Sequence, residues 1–156
     1  MFLDDLTFAG IIAATPLVSI DLIVRNKHDE VLLGKRANRP ALGRWFVPGG
    51  RIHKGERARD ALERIARNEL GINVPKGRLI GVFDHFYEDN VFGTLAVGTH
   101  YVALGYEFKL ADGVSLAKDA QHSNVQWWSV QSLLASEKVH ANTKLYFSEN
   151  FKNGML

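Results

Sequence analysis

The sequence predicts an α+β domain in which a mixed β-sheet lies between helices. Short runs rich in β-branched and aromatic residues recur at 17–24, 31–33, 45–47, 78–87, 99–110 and 125–128, each bounded by turn residues. Between them, residues 56–70 show a helical period, with Ala58, Ala61, Leu62, Ile65, Ala66 and Leu70 on one stripe. Strands and helices do not alternate regularly, which argues against a doubly wound parallel sheet. At 156 residues the chain is expected to form one domain over 1–156, large enough for a real core.

The elements follow in order. Residues 1–10 carry Phe2, Leu3, Leu6 and Phe8, a dense apolar start that suits a short helix docked on the core. Pro16 breaks that segment before the strand at 17–24. Residues 26–30 make a turn into the second strand, and 37–44, with Pro40 and Gly43, form a loop before the short strand at 45–47. The pair Gly34-Lys35 lacks the earlier glycine and following hydroxyl of a phosphate-binding P-loop. Gly49-Gly50 opens the loop before the central helix, and Gly71 is placed to cap its end. The connection at 88–98 between the two long strands is long enough to serve as a lid. Ser129 should cap a helix over 130–136, and a last helix is expected over 142–151.

The central helix carries the first chemical clue. Stepping by four and three from Ala58 through Leu62 and Ile65 lands on Glu69, a carboxylate where the pattern calls for a core residue. An inward carboxylate is costly unless it is paired or holds a metal. A salt bridge to Arg51, Arg64 or Arg67 is one solution. The other is metal, because the Gly-Gly loop just upstream offers a backbone carbonyl as a second hard oxygen, and Mg²⁺ takes few protein oxygens.

Composition narrows the classes. A net charge of +2 with scattered Arg and Lys does not support nucleic acid and suits a phosphate-bearing small molecule. With no cysteine, a thiolate nucleophile, a disulfide framework and a Cys-ligated zinc site are excluded. The acidic start MFLDDLTFAG is unlike a signal peptide, and Pro16 and Asp21 interrupt the apolar run at 11–24, so no membrane span is expected and a cytoplasmic location is the default.

The stretch GRIHKGERARDALERIARNELGI (50–72) places Gly50, Glu56, Arg64, Glu69 and Gly71 at the spacing of the Nudix box. Further segments, TPLVSID (15–21), LLGKRANRPALGRWFVPGGR (32–51), DHFYEDN (84–90), THYV (99–102), Gln121-His122 and VHANTKLYF (139–147), closely resemble the GDP-mannose mannosyl hydrolases, an atypical Nudix branch. Two glutamates usual in the box are replaced by Ile65 and Asn68. Fewer anionic ligands mean less power to generate a metal-bound hydroxide.

The resemblance implies a Nudix fold and Mg²⁺-dependent hydrolysis of GDP-mannose, or of related GDP-hexoses, to GDP and free sugar. Water would attack sugar C1 with inversion. It implies one Mg²⁺ per site (Mn²⁺ substituting) on the Gly49 carbonyl, Glu69 and Gln121, with His122 as general base. A homodimer is implied as well. Arg36 and Arg51 suit diphosphate oxygens. Asp21, read as ending its strand, suits the positive charge developing at C1, or else caps the strand end. His85 and Tyr101 suit the leaving group or the sugar hydroxyls, and Phe2, Leu3 and Phe8 match positions that contact nucleotide. Arg64 is expected to orient a box carboxylate. Two rivals remain: a conventional Nudix pyrophosphohydrolase cutting P–O, and a non-catalytic nucleotide-sugar sensor.

Overall fold

The computed structural model describes residues 3–93, 97–116 and 124–149. Four helices and seven strands occur among them. Helix α1 (Asp5–Ala14) starts where the Asp4 carboxylate accepts a hydrogen bond from the Thr7 amide, and it leads into β1 (Leu17–Arg25). β2 (Val31–Lys35), β3 (Trp45–Phe46) and β4 (Gly49–Arg51) follow, then α2 (Ala58–Leu70). The long strands β5 (Gly77–Tyr87) and β6 (Thr99–Lys109) precede β7 (Val125–Trp128), α3 (Val130–Ala135) and α4 (Ala141–Leu145).

The sheet runs β3-β2-β1-β6-β5, with β4 also on β1 and β7 also on β2. β1 and β6 are parallel and the other pairs antiparallel, so the sheet is mixed, as predicted. β1 is its axis. β2 meets it near Arg25, while β4 pairs with Ser19, Ile20 and Asp21.

Alternation along β1 divides two cores. Ile20, Leu22 and Val24 pack against Ala61, Ile65, Ala66 and Leu70 of α2. Ile23 faces the other way, onto Phe83, Ala103, Leu133, Val139 and Tyr146. By the same alternation Ser19 and Asp21 share Ile23's face, so that face turns from apolar to polar along one strand.

Three expectations change. The central helix begins at Ala58 rather than 56, and Glu56 stands in the loop before it, where its carboxylate accepts the His53 amide. Asp21 lies inside β1, not at its end, so a strand-end cap is excluded. The helix expected over 142–151 is interrupted after Leu145, with 150–151 outside the described residues: the Tyr146 and Phe147 amides bond to Thr143 and Lys144 carbonyls, a tightened turn that sends the Tyr146 ring inward. The 88–98 connection is tied down at its start. Asp89 accepts the Ala41 amide and an Arg39 guanidinium N–H, and buried Asn90 bonds the Val97 carbonyl.

Candidate active site

Local rules shape the box. Gly71 ends α2 in the left-handed conformation (φ 68°), its amide bonded to the Arg67 carbonyl. Gly50 lies so close to α2 that a Cβ there would sit 3.1 Å from Ile65 Cγ1. Ile65, where the usual box carries a glutamate, therefore packs the glycine loop onto the helix. Asn68 is exposed. Arg64 grips Glu56 through two nitrogens, at 2.7 and 2.8 Å, and donates at 2.9 Å to the Arg51 carbonyl. This guanidinium holds the Glu56 carboxyl down at about 2. The expected role of Arg64, orienting a box carboxylate, is realised on Glu56.

A cleft open to solvent lies beside the box. Its walls bring together Asp21, Arg36, Gly49, Arg51, Glu69, His85 and Tyr101, seven of the residues singled out from the sequence. Ser19, Asn38, Phe46 and Tyr87 complete its polar and aromatic lining. Strand alternation from His85 leads to Tyr87, so that residue was readable from the sequence. Leu3 and Phe8 are not part of this lining; Phe8 instead lies under the Arg51 guanidinium, 4.5 Å from its ring centroid. Arg36 rests over Phe46 at 4.9 Å and donates to the Pro40 carbonyl at 3.0 Å. Phe2, Gln121 and His122 lie outside the described residues.

Asp21 is the electrostatic centre of the cleft floor. Burial raises its carboxyl to about 6, against the opposing pull of a Tyr146 hydrogen bond and of Arg36. The Tyr146 hydroxyl donates to Asp21 Oδ2 at 2.7 Å. His85 Nδ1 is 3.7 Å from the same oxygen, but burial pushes that imidazole down to about 4, so at neutral pH the two are not an ion pair. His85 Nε2 is buried with no hydrogen-bond partner among the described residues. Burial also raises Tyr87 to about 12 and Tyr101 in the same direction, leaving both hydroxyls protonated.

The donor set suits a single hard cation. Gly49 and Glu69 line the same wall, Glu56 is engaged by Arg64, and no cluster of three His, Cys, Asp or Glu side chains occurs among the described residues. One carboxylate plus a backbone carbonyl fits Mg²⁺, which keeps waters or phosphate oxygens in most of its positions.

The family model for the NUDIX domain matches residues 15–151, and the chain belongs to that family. The Low-salt glycan biosynthesis protein Agl8 of Haloferax volcanii is 43% identical over 122 residues, covering 78% of this chain and 76% of the relative. The ADP-ribose pyrophosphatase of Methanocaldococcus jannaschii is 32% identical over 68% of this chain and 60% of its own. Among solved structures, the MutT protein from Methanosarcina mazei Go1 superposes with a TM-score of 0.72 at 22% identity, over 90% of this chain and 96% of that one, a likeness of fold. The protein is thus a Nudix-superfamily hydrolase, and members of this superfamily generally work with Mg²⁺. No helix among the described residues is long and apolar enough to cross a membrane.

Proposed function

We propose that the chain hydrolyses a GDP-hexose, GDP-mannose in the first instance, to GDP and the free sugar by breaking the C1–O bond. The observation that carries this is the pairing of opposites in one cleft. Arg36 and Arg51 are suited to a diphosphate, and Asp21, His85, Tyr87 and Tyr101, which line the same cleft, are suited to a sugar. A sugar C1 losing its leaving group gains positive charge, and the Asp21 carboxylate is the group that would stabilise it. The box supports the same reading. Ile65 packs against Gly50 and Asn68 points to solvent, so the helix offers the cleft Glu69 alone, a thin set for making a hydroxide that attacks phosphorus.

In this proposal Gly49, Glu69 and Gln121 would hold one Mg²⁺, which would supply charge neutralisation for a diphosphate leaving group. Arg36 and Arg51 bind its oxygens by charge-assisted hydrogen bonds. Water adds to C1 from the face opposite the diphosphate, and His122 takes its proton. The C1–O electron pair leaves with the GDP β-phosphate, inverting C1. His85, buried with its Nε2 lacking a hydrogen-bond partner among the described residues, is in this proposal a hydrogen-bond partner for the sugar. The likeness to a glycan biosynthesis protein supports a sugar-bearing substrate. A functional homodimer is part of the proposal.

The comparison with an ADP-ribose pyrophosphatase favours a second reading, attack at phosphorus in a nucleotide-sugar. One experiment separates the two. Incubation with GDP-mannose and Mg²⁺ in ¹⁸O-labelled water is expected to give GDP and labelled mannose. GMP and mannose 1-phosphate, with label on phosphorus, would establish the second reading instead. Turnover of either kind excludes a non-catalytic sensor.

A further inference from the structure

Asp21 has a glycine beside it on both neighbouring strands. In the register of the sheet Asp21 pairs with Gly49 of β4 on one side and with Gly105 of β6 on the other. Each glycine leaves space that another group fills. A Cβ on Gly49 would come within 2.6 Å of Asp21 Oδ1, so this glycine admits the carboxylate itself. A Cβ on Gly105 would come within 2.9 Å of Tyr146 Cε1, so this one admits the tyrosine ring. The ring is then fixed from its other sides. It meets Phe83 edge-on at 4.4 Å and His85 at 5.5 Å, and the residue is only 8% exposed.

We infer that Tyr146 is a positioning residue for the reaction: its hydroxyl holds Asp21 Oδ2 so that Oδ1 stays against Gly49 at the cleft wall. The inference rests on the reading that Asp21 faces the reacting sugar. A carboxylate on a mid-strand residue has two soft torsions, and rotation would carry its oxygens away from the wall. The 2.7 Å hydrogen bond, from a donor itself locked by packing, removes that freedom. Burial keeps the Tyr146 phenol far above its usual range, so it remains protonated and donates at any working pH. Arg36 and His85 also approach Asp21, but the guanidinium is held over the Phe46 ring and by the Pro40 carbonyl, and the imidazole stands 3.7 Å off.

The test is Tyr146→Phe, which deletes one oxygen and keeps the ring between Gly105, Phe83 and His85. With the substrate that the product assay identifies, kcat is expected to fall on the order of 10- to 100-fold, the usual weight of a hydrogen bond to a charged group. KM should stay within about threefold, because the diphosphate contacts are untouched. In an Asp21→Asn background the same substitution should cost almost nothing further. A reading free of substrate comes from the Asp21 carboxyl ¹³C resonance at fixed pH, which should move in Tyr146→Phe while the melting temperature holds within a few degrees. An unmoved resonance, a wild-type kcat, or losses that multiply in the double variant would each overturn the inference. GMP and sugar phosphate among the products would overturn the proposed reaction alone, since the coupling between Tyr146 and Asp21 is measured independently of which bond breaks.

Discussion

Two carboxylates near the Gly49–Arg51 strand meet opposite fates. Glu56, in the loop before α2, is clasped by two nitrogens on one edge of the Arg64 guanidinium and is held at about 2. Asp21, on the cleft floor, has a phenol for its nearest partner, and burial raises it to about 6. The first arrangement stabilises the charged form and so the fold. The second leaves a charge in a poorly solvated place, which costs stability and concentrates electrostatic effect where a substrate would bind. Of the acidic groups around the box, Glu56, held by Arg64, is architectural, and Asp21 and Glu69 line the cleft.

The strongest way to break this contrast is at the cleft wall. Glu69→Gln is expected to reduce turnover on the order of 10³-fold and to weaken Mg²⁺ binding, leaving the circular dichroism spectrum unchanged. Retention of metal affinity and turnover in that variant would return Glu69 to the salt-bridge role.

Asp21→Asn should lower kcat on the order of 10²-fold while raising stability at pH 7. The sign follows from its raised value. Between 3.8 and about 6 the folded state binds the extra proton, so this group's contribution to stability falls as pH rises through that window. Removing the charge recovers on the order of 2 kcal/mol at neutral pH. Urea titrations at pH 4.5 and 7 without divalent metal measure it: the wild type and Asp21→Asn should differ more at pH 7. A variant less stable than wild type at pH 7 would show that the Asp21 charge is well compensated.

The smallest effect belongs to the other carboxylate. Glu56→Gln should lower stability by about 1 kcal/mol, a value discounted because the pair is partly exposed to solvent. Its pH dependence runs the opposite way. Because the folded value is depressed, the stabilisation is present above about 4.5 and is lost as pH falls toward about 2. Turnover should change less than in Glu69→Gln or Asp21→Asn. A Glu56→Gln enzyme with catalysis as poor as Glu69→Gln would place Glu56 in the chemistry and erase the distinction between the two carboxylates.

What the sequence determined by itself was governed by local rules. Period-two and helical patterning gave β1, β5, β6 and α2 to within a few residues. Gly71 and Ser129 marked a helix end and a helix start because their backbone conformation or side-chain oxygen meets needs of the adjacent turn. The spacing of Gly50, Glu56, Arg64 and Glu69 likewise carried the family, since a loop and one helix are read within a short stretch.

Tertiary structure decided the rest. Glu56 left the helix because its carboxylate is drawn to the His53 amide and to Arg64 eight residues on. Asp21 gained its neighbours because β4 and β6 pair on both sides of it and bring Gly49 and Gly105 alongside, which no local pattern announces. Tyr146 reaches Asp21 across 125 residues, and its contact depends on a glycine of β6 whose missing side chain makes the room. Contacts at such separation leave no periodic trace in the chain, because either partner, read alone, is an ordinary tyrosine near a helix end or an ordinary aspartate in a strand.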